Sequence, residues 1–195
     1  MNARIVSIGT AVPPTRVTQD RVRDFFAAQP GVDRLTQRLI RAAFDAAAID
    51  ERHTVLTELG ALGQTSPGAD GPFVDASGAL RRPTTGTRND LYTREVPGLC
   101  AQAARAAIDD AGVDPAAVTH VITVSCTGFF APGPDYRLVR DLGIPTTAER
   151  YHLGFIGCAA ALPGIRLATR IAAAQPDAVV LVVCVELCSL HIRPS

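Results

Sequence analysis

Val118-Thr119-His120-Val121-Ile122-Thr123-Val124-Ser125-Cys126 is a nearly continuous apolar run, and its reading decides the fold class. A strand can do without polar alternation when both of its faces are covered, as in a parallel sheet. A second run of the same kind, Ala178-Val179-Val180-Leu181-Val182-Val183-Cys184-Val185, predicts another strand buried on both faces. Between the two, the pattern predicts a short helix over 135–142, a short strand over 150–153 and a helix over 159–174. A long helix, about Glu95 to Ala111 and stopped by Gly112, precedes the first run. Strands alternating with helices imply an α/β layered fold, built of βαβ units around a mainly buried sheet.

Towards the amino terminus, Arg4-Ile5-Val6-Ser7-Ile8-Gly9-Thr10 reads as a first strand ending in a Pro13-Pro14 turn. Thr18 is expected to cap a helix through about Gln29, with Val22, Phe25 and Phe26 on one face. A second helix is expected over 32–48, with Leu35, Leu39, Ile40 and Phe44 on its apolar side. Residues 57–90 are rich in Gly, Pro, Thr and Asp, and they read as a long surface connection containing a small hairpin.

Composition narrows the function. The 195 residues suit one domain or one lobe of a larger one, and 47% of them are apolar. Nineteen basic residues balance nineteen acidic ones, which argues against a nucleic-acid partner. No apolar run approaches the roughly 20 residues of a membrane span, and the first residues form no signal peptide. The five cysteines, at positions 100, 126, 158, 184 and 188, have neither CxxC nor zinc-ligand spacing. Reduced thiols in a cytoplasmic protein, with no metal and no disulfide scaffold, are therefore expected.

Cys158 stands apart from the other four. Tyr151-His152-Leu153-Gly154-Phe155-Ile156-Gly157 leads into it, and Ala159-Ala160-Ala161-Leu162-Pro163-Gly164 follows. A thiol between a strand and a helix meets helix amides and the positive end of the macrodipole, which favour thiolate. A buried structural cysteine is the competing reading. Pro163 either lies in the first turn of a helix beginning near Leu162, or distorts the turn that holds Cys158. His152, at a strand end, reads as a hydrogen-bonded structural histidine.

These segments, taken in order, resemble the first half of a type III polyketide synthase, the chalcone synthase-like branch of the thiolase superfamily. The resemblance runs through Ile8-Gly9-Thr10-Ala11-Val12-Pro13-Pro14, Glu95-Val96-Pro97, Thr119-His120-Val121-Ile122 and Pro132-Gly133-Pro134-Asp135-Tyr136-Arg137-Leu138. It continues through Gly157-Cys158, Val182-Val183-Cys184-Val185-Glu186-Leu187 and Arg193-Pro194-Ser195. It implies a thiolase-like N-terminal lobe over 1–195, in a homodimeric family, without the companion C-terminal lobe. Cys158 is then the nucleophile that takes a starter acyl group from coenzyme A. Decarboxylative condensation with malonyl-CoA lengthens the chain, with acyl-CoA thioesters as substrates and no bound cofactor.

The resemblance assigns the base and the enolate donors to a histidine and an asparagine of the family's second half, beyond Ser195. It aligns Cys126, Cys188 and His191 with pocket-wall threonines, and places Thr127 beside the same wall. Ala131 aligns with a methionine that reaches the partner subunit's cavity in plant members. Glu186 has the place of a hydrogen-bonding group behind the site. The basic residues that grip coenzyme A align with Leu39, Ala42 and Ala46, which are not basic. Arg38 and Arg41, adjacent to those positions, take over that role if the register shifts by one residue, and otherwise form a solvated helix face. Two alternatives stay open: an initiating ketoacyl synthase, and an inactive fragment or interaction module whose exposed apolar surface calls for a partner.

Overall fold

A computed structural model of the chain describes residues 3–60 and 70–194. The chain divides into two units. One contains residues 1–11 and 89–187, and the other contains 12–88 and 188–195.

The first unit is built on a three-stranded parallel sheet. β3 (His120–Ser125) is its central strand, flanked by β4 (Glu149–Gly154) and β5 (Val180–Cys184). All six residues of β3 are buried, as a strand covered on both faces requires. α5 (Pro134–Leu142) connects β3 to β4, and α6 (Ala161–Ala174) connects β4 to β5. A Cβ on Gly164 of α6 would lie 3.2 Å from Val124 and 3.7 Å from both Leu153 and Val182. Glycine thus lets α6 sit close on a row of side chains drawn from all three strands. Side chains alternate along a strand, so Ser125 faces away from Val124. There it meets Tyr92 of α4 (Thr85–Ala111), which accounts for a helix layer on each side of the sheet.

Three expectations change in this unit. α4 begins ten residues earlier than the apolar pattern suggested, and Pro97 lies inside it. β5 is only half-buried at Val180 and Val182, because among the described residues it pairs with β3 alone and forms the sheet edge. Residues 4–10 belong to no strand, and no backbone–backbone hydrogen bond reaches them from the described residues.

This amino-terminal segment lies along α4, where the Ser7 hydroxyl donates to the Ala107 carbonyl at 2.6 Å. Ile5, Val6 and Ile8 are left exposed. A Cβ on Gly9 would stand 2.2 Å from the Ala103 carbonyl oxygen and 2.5 Å from the Ala107 nitrogen, both of them backbone atoms. Gly9→Ala should therefore lift the segment from the helix at a cost of about 1–3 kcal/mol. Faster amide exchange over 103–107 and a lower urea midpoint are expected, and an unchanged midpoint would contradict the contact.

In the second unit, β1 (Thr15–Thr18) and β2 (Glu51–Thr54) form an antiparallel pair. α1 (Gln19–Ala27) packs on α2 (Arg34–Ala46), with the Phe26 and Phe44 rings 6.0 Å apart. Asp33 caps α2 by accepting from the Thr36 amide at 2.7 Å. Thr18 precedes α1 but makes no side-chain cap, because its hydroxyl donates to the Asp20 carboxylate instead. No residue of α2 is fully buried, and Leu35 and Leu39, expected on its apolar side, are exposed. α3 (Thr57–Gly60) opens the long connection, and residues 61–69 lie outside the described ones. Beyond them a hairpin-like turn forms, with Val74 bridged to Leu80 and Asp75 accepting from the Ser77 and Ala79 amides.

Candidate active site

Parallel strands deliver their carboxyl ends to the same edge of a sheet, and ligands of open α/β sheets gather there. Here the edge is built by the residues just after β3, β4 and β5. The Phe155 amide donates to the Ser125 carbonyl at 3.3 Å, and the Val185 amide donates to the Val124 carbonyl at 3.0 Å. These bonds hold the exits of β4 and β5 against that of β3. Cys126 and Thr127 follow β3, Cys158 lies four residues beyond Gly154, and Glu186 lies two residues beyond Cys184.

Cys158 opens a 3-10 turn over Cys158–Ala160 that leads directly into α6. Pro163 is the third residue of α6, within its first turn, so the helix stays regular and the thiol lies one turn ahead of it. The turn is entered through two left-handed residues, Phe155 at φ 59° and Gly157 at φ 98°. Glycine takes such a φ freely, whereas an aromatic residue there costs on the order of 1–3 kcal/mol. The thiol of Cys158 is exposed.

The 125–130 segment at the end of β3 is held from two directions. The Cys126 amide donates to Glu186 Oε1 at 2.8 Å, and the Leu187 amide donates to Thr127 Oγ1 at 2.9 Å. Glu186 Oε2 is buried with no hydrogen-bond partner among the described residues. From α4, Tyr92 donates to Ser125 Oγ at 2.6 Å, and Asn89 Oδ1 accepts from the Phe129 amide at 2.9 Å. Phe129 meets Phe155 edge-on, with ring centroids 6.1 Å apart, which links the exits of β3 and β4. Ala131 is exposed.

The sequence-derived residues thus fall into two sets. Cys126, Thr127, Ala131, Cys158 and Glu186 belong to the first unit. Cys188 and His191 belong to the second, both exposed on a 3-10 turn over Cys188–His191. Arg38 and Arg41 are exposed on α2 of that same unit, and Arg41 lies 4.0 Å from Asp24. His152 is exposed, with Nδ1 2.8 Å from the Thr123 hydroxyl. Sequence reasoning missed Asn89, Tyr92 and Ser125, because Tyr92 and Asn89 meet their partners 33 and 40 residues further along the chain. Among the described residues, no cluster of His, Cys, Asp or Glu could hold a metal ion, and no helix is long and apolar enough to cross a membrane.

The five cysteines are not equivalent. Burial in α4 pushes the Cys100 thiol up to about 12, so it stays protonated throughout the neutral range. Burial also raises Cys184, with the nearby Glu186 charge adding to the effect. Iodoacetamide at about pH 8 should label Cys158 in the folded protein and leave Cys100 unmodified. Equal labelling of the two would contradict their different environments.

The sequence profile for chalcone and stilbene synthases, N-terminal domain, matches residues 1–195. The chain is 31% identical over 191 residues to probable polyketide synthase 1 of Dictyostelium discoideum, covering 97% of this chain and 6% of that one. It is 33% identical over 195 residues to bisdemethoxycurcumin synthase of Oryza sativa subsp. japonica, covering 97% and 45%. Its fold superposes on the C-terminal type III polyketide synthase domain of Steely1 from Dictyostelium with a TM-score of 0.80 at 27% identity, covering 99% and 50%. It also superposes on PKS-I of the brown alga Ectocarpus siliculosus with a TM-score of 0.82 at 30% identity, covering 96% and 48%. The chain spans about half the length of those solved chains and less than half of the rice enzyme. With a thiolase-like sheet that carries Cys158 at its carboxyl edge, the chain belongs to the chalcone and stilbene synthase family of type III polyketide synthases, whose N-terminal domain it is.

Proposed function

We propose that this domain forms an acyl thioester on Cys158 and presents it for chain extension. The Cys158 thiolate attacks the carbonyl carbon of an acyl-CoA. The carbonyl reforms as the coenzyme A thiolate leaves, and that thiolate takes a proton from solvent. The new thioester stays electrophilic. Malonyl-CoA then loses carbon dioxide, and the resulting carbanion attacks the Cys158 thioester. This returns the cysteine thiolate and leaves a β-ketoacyl-CoA. The extension step needs donors that stabilise the enolate, supplied by a complementary lobe.

The observation that carries this reading is the exposed Cys158 at the carboxyl edge of the parallel sheet, immediately before α6. In the same reading Cys126 and Thr127 line the acyl pocket, and Glu186 braces its wall. The exposed Ile5, Ile8, Leu35, Leu39 and Ile156 support coverage by a companion lobe or a second subunit.

The test is stoichiometric release of coenzyme A from an acyl-CoA, followed by chromatography. About one equivalent per chain is expected before any malonyl-CoA is added, as a covalent intermediate requires. No release, either from the domain alone or with a complementary lobe supplied, would overturn the proposal.

A further inference from the structure

We infer that Tyr92, with Asn89 three residues before it on α4, positions the wall that carries Cys126 and Thr127 and thereby sets which acyl groups fit over Cys158. The selectivity half of this inference rests on the acyl-transfer reading, and the positioning half stands on geometry alone.

Four of the six residues from 125 to 130 meet these two side chains. Tyr92 is fully buried, and its hydroxyl donates to the equally buried Ser125. A Cβ on Gly128 would lie 2.2 Å from Tyr92 Cγ, so the ring fills the space where a side chain at 128 would go. The Phe130 ring stands 6.1 Å from it. Asn89 holds the Phe129 amide. Cys126 and Thr127, between these anchors, are gripped from the far side by Glu186 and Leu187. The segment is therefore clamped between α4 and the exit of β5, and its position depends on both jaws.

The chemistry of the α4 jaw is specific. Burial keeps the Tyr92 phenol protonated, with its pKa pushed up to about 12, so the hydroxyl stays a donor throughout the neutral range. Phenylalanine would keep the ring against Gly128 but leave the buried Ser125 hydroxyl without its donor. A buried polar group left unpaired seeks another partner, and the segment shifts to provide one. Removing both hydroxyls together leaves nothing unpaired and should largely restore the original position.

The experiment compares the wild-type protein with Y92F, S125A and the Y92F/S125A double variant. Site-resolved iodoacetamide labelling reads the wall through Cys126 and the nucleophile through Cys158. Y92F is expected to change the Cys126 rate by about five-fold, the scale of one hydrogen bond, and to leave the Cys158 rate alone. The double variant should return the Cys126 rate towards wild type. A competition between acetyl-CoA and a long-chain acyl-CoA should shift the adduct ratio on Cys158 in the same variant order. An unchanged Cys126 rate in Y92F would overturn the inference, and so would parallel changes at both cysteines with no recovery in the double variant. If wild type takes no acyl adduct while Cys126 labelling still follows Tyr92, the acyl-transfer reading fails and the positioning role stands.

Discussion

Cys158→Ala is expected to abolish the acyl mass that wild-type protein gains on incubation with an acyl-CoA. The loss should be complete, because no other thiol combines exposure with a place ahead of α6 at the carboxyl edge. Cys100 is buried in α4 and held as a neutral thiol. Cys184 is raised in the same direction by burial and by Glu186. Cys126 is half-buried, with its amide tied to Glu186. Cys188 is exposed but belongs to the second unit, on the 3-10 turn of residues 188–191. Cys158→Ser should fail as well, since a hydroxyl without an adjacent base is not ionised near neutral pH. Intact-mass spectrometry reads both variants against Cys100→Ser, which should keep the adduct. An adduct that persists in Cys158→Ala would remove the residue from the chemistry.

The largest expected stability effect lies beneath the site. Ile122 is fully buried at the centre of β3, with Tyr151 and Val182 as its neighbours in register on either side. Ile122→Ala deletes apolar volume where strands on both sides and helices on both faces limit collapse into the gap. The cost should be about 2–5 kcal/mol. Urea denaturation followed by far-ultraviolet circular dichroism measures it. A loss near the scale of a surface substitution, about 0.5 kcal/mol, would contradict the central position assigned to β3.

How much of this was legible in sequence follows from which forces act locally. β3 could be read because a strand covered on both faces needs an unbroken apolar run, and the run from Val118 supplies it. β5 has the same signature and was expected to be equally buried. Its neighbours are set by pairing, however, and the edge position that exposes Cys184 is invisible in its residues. Residues 4–10 show the same limit, since a strand-like pattern does not supply a partner. The start of α4 was missed because Thr85 to Arg94 lacks helical apolar spacing and Pro97 resembled a helix beginning.

Site residues divide in the same way. The place of Cys158 between a strand and a helix was legible from its strand, glycine and small-residue run, all within a few positions. Asn89 and Tyr92 were not, because they act on partners 40 and 33 residues away. Glu186 was expected to hydrogen-bond behind the site, yet its bond to the Cys126 amide spans 60 residues that only the sheet brings together.

Peptide mapping after incubation with acyl-CoA tests the central claim most directly. The account predicts one acyl group, confined to the peptide containing Cys158, and absent from those containing Cys126, Cys184 and Cys188. An unmodified Cys158 peptide alongside an acylated peptide from any other cysteine would contradict it.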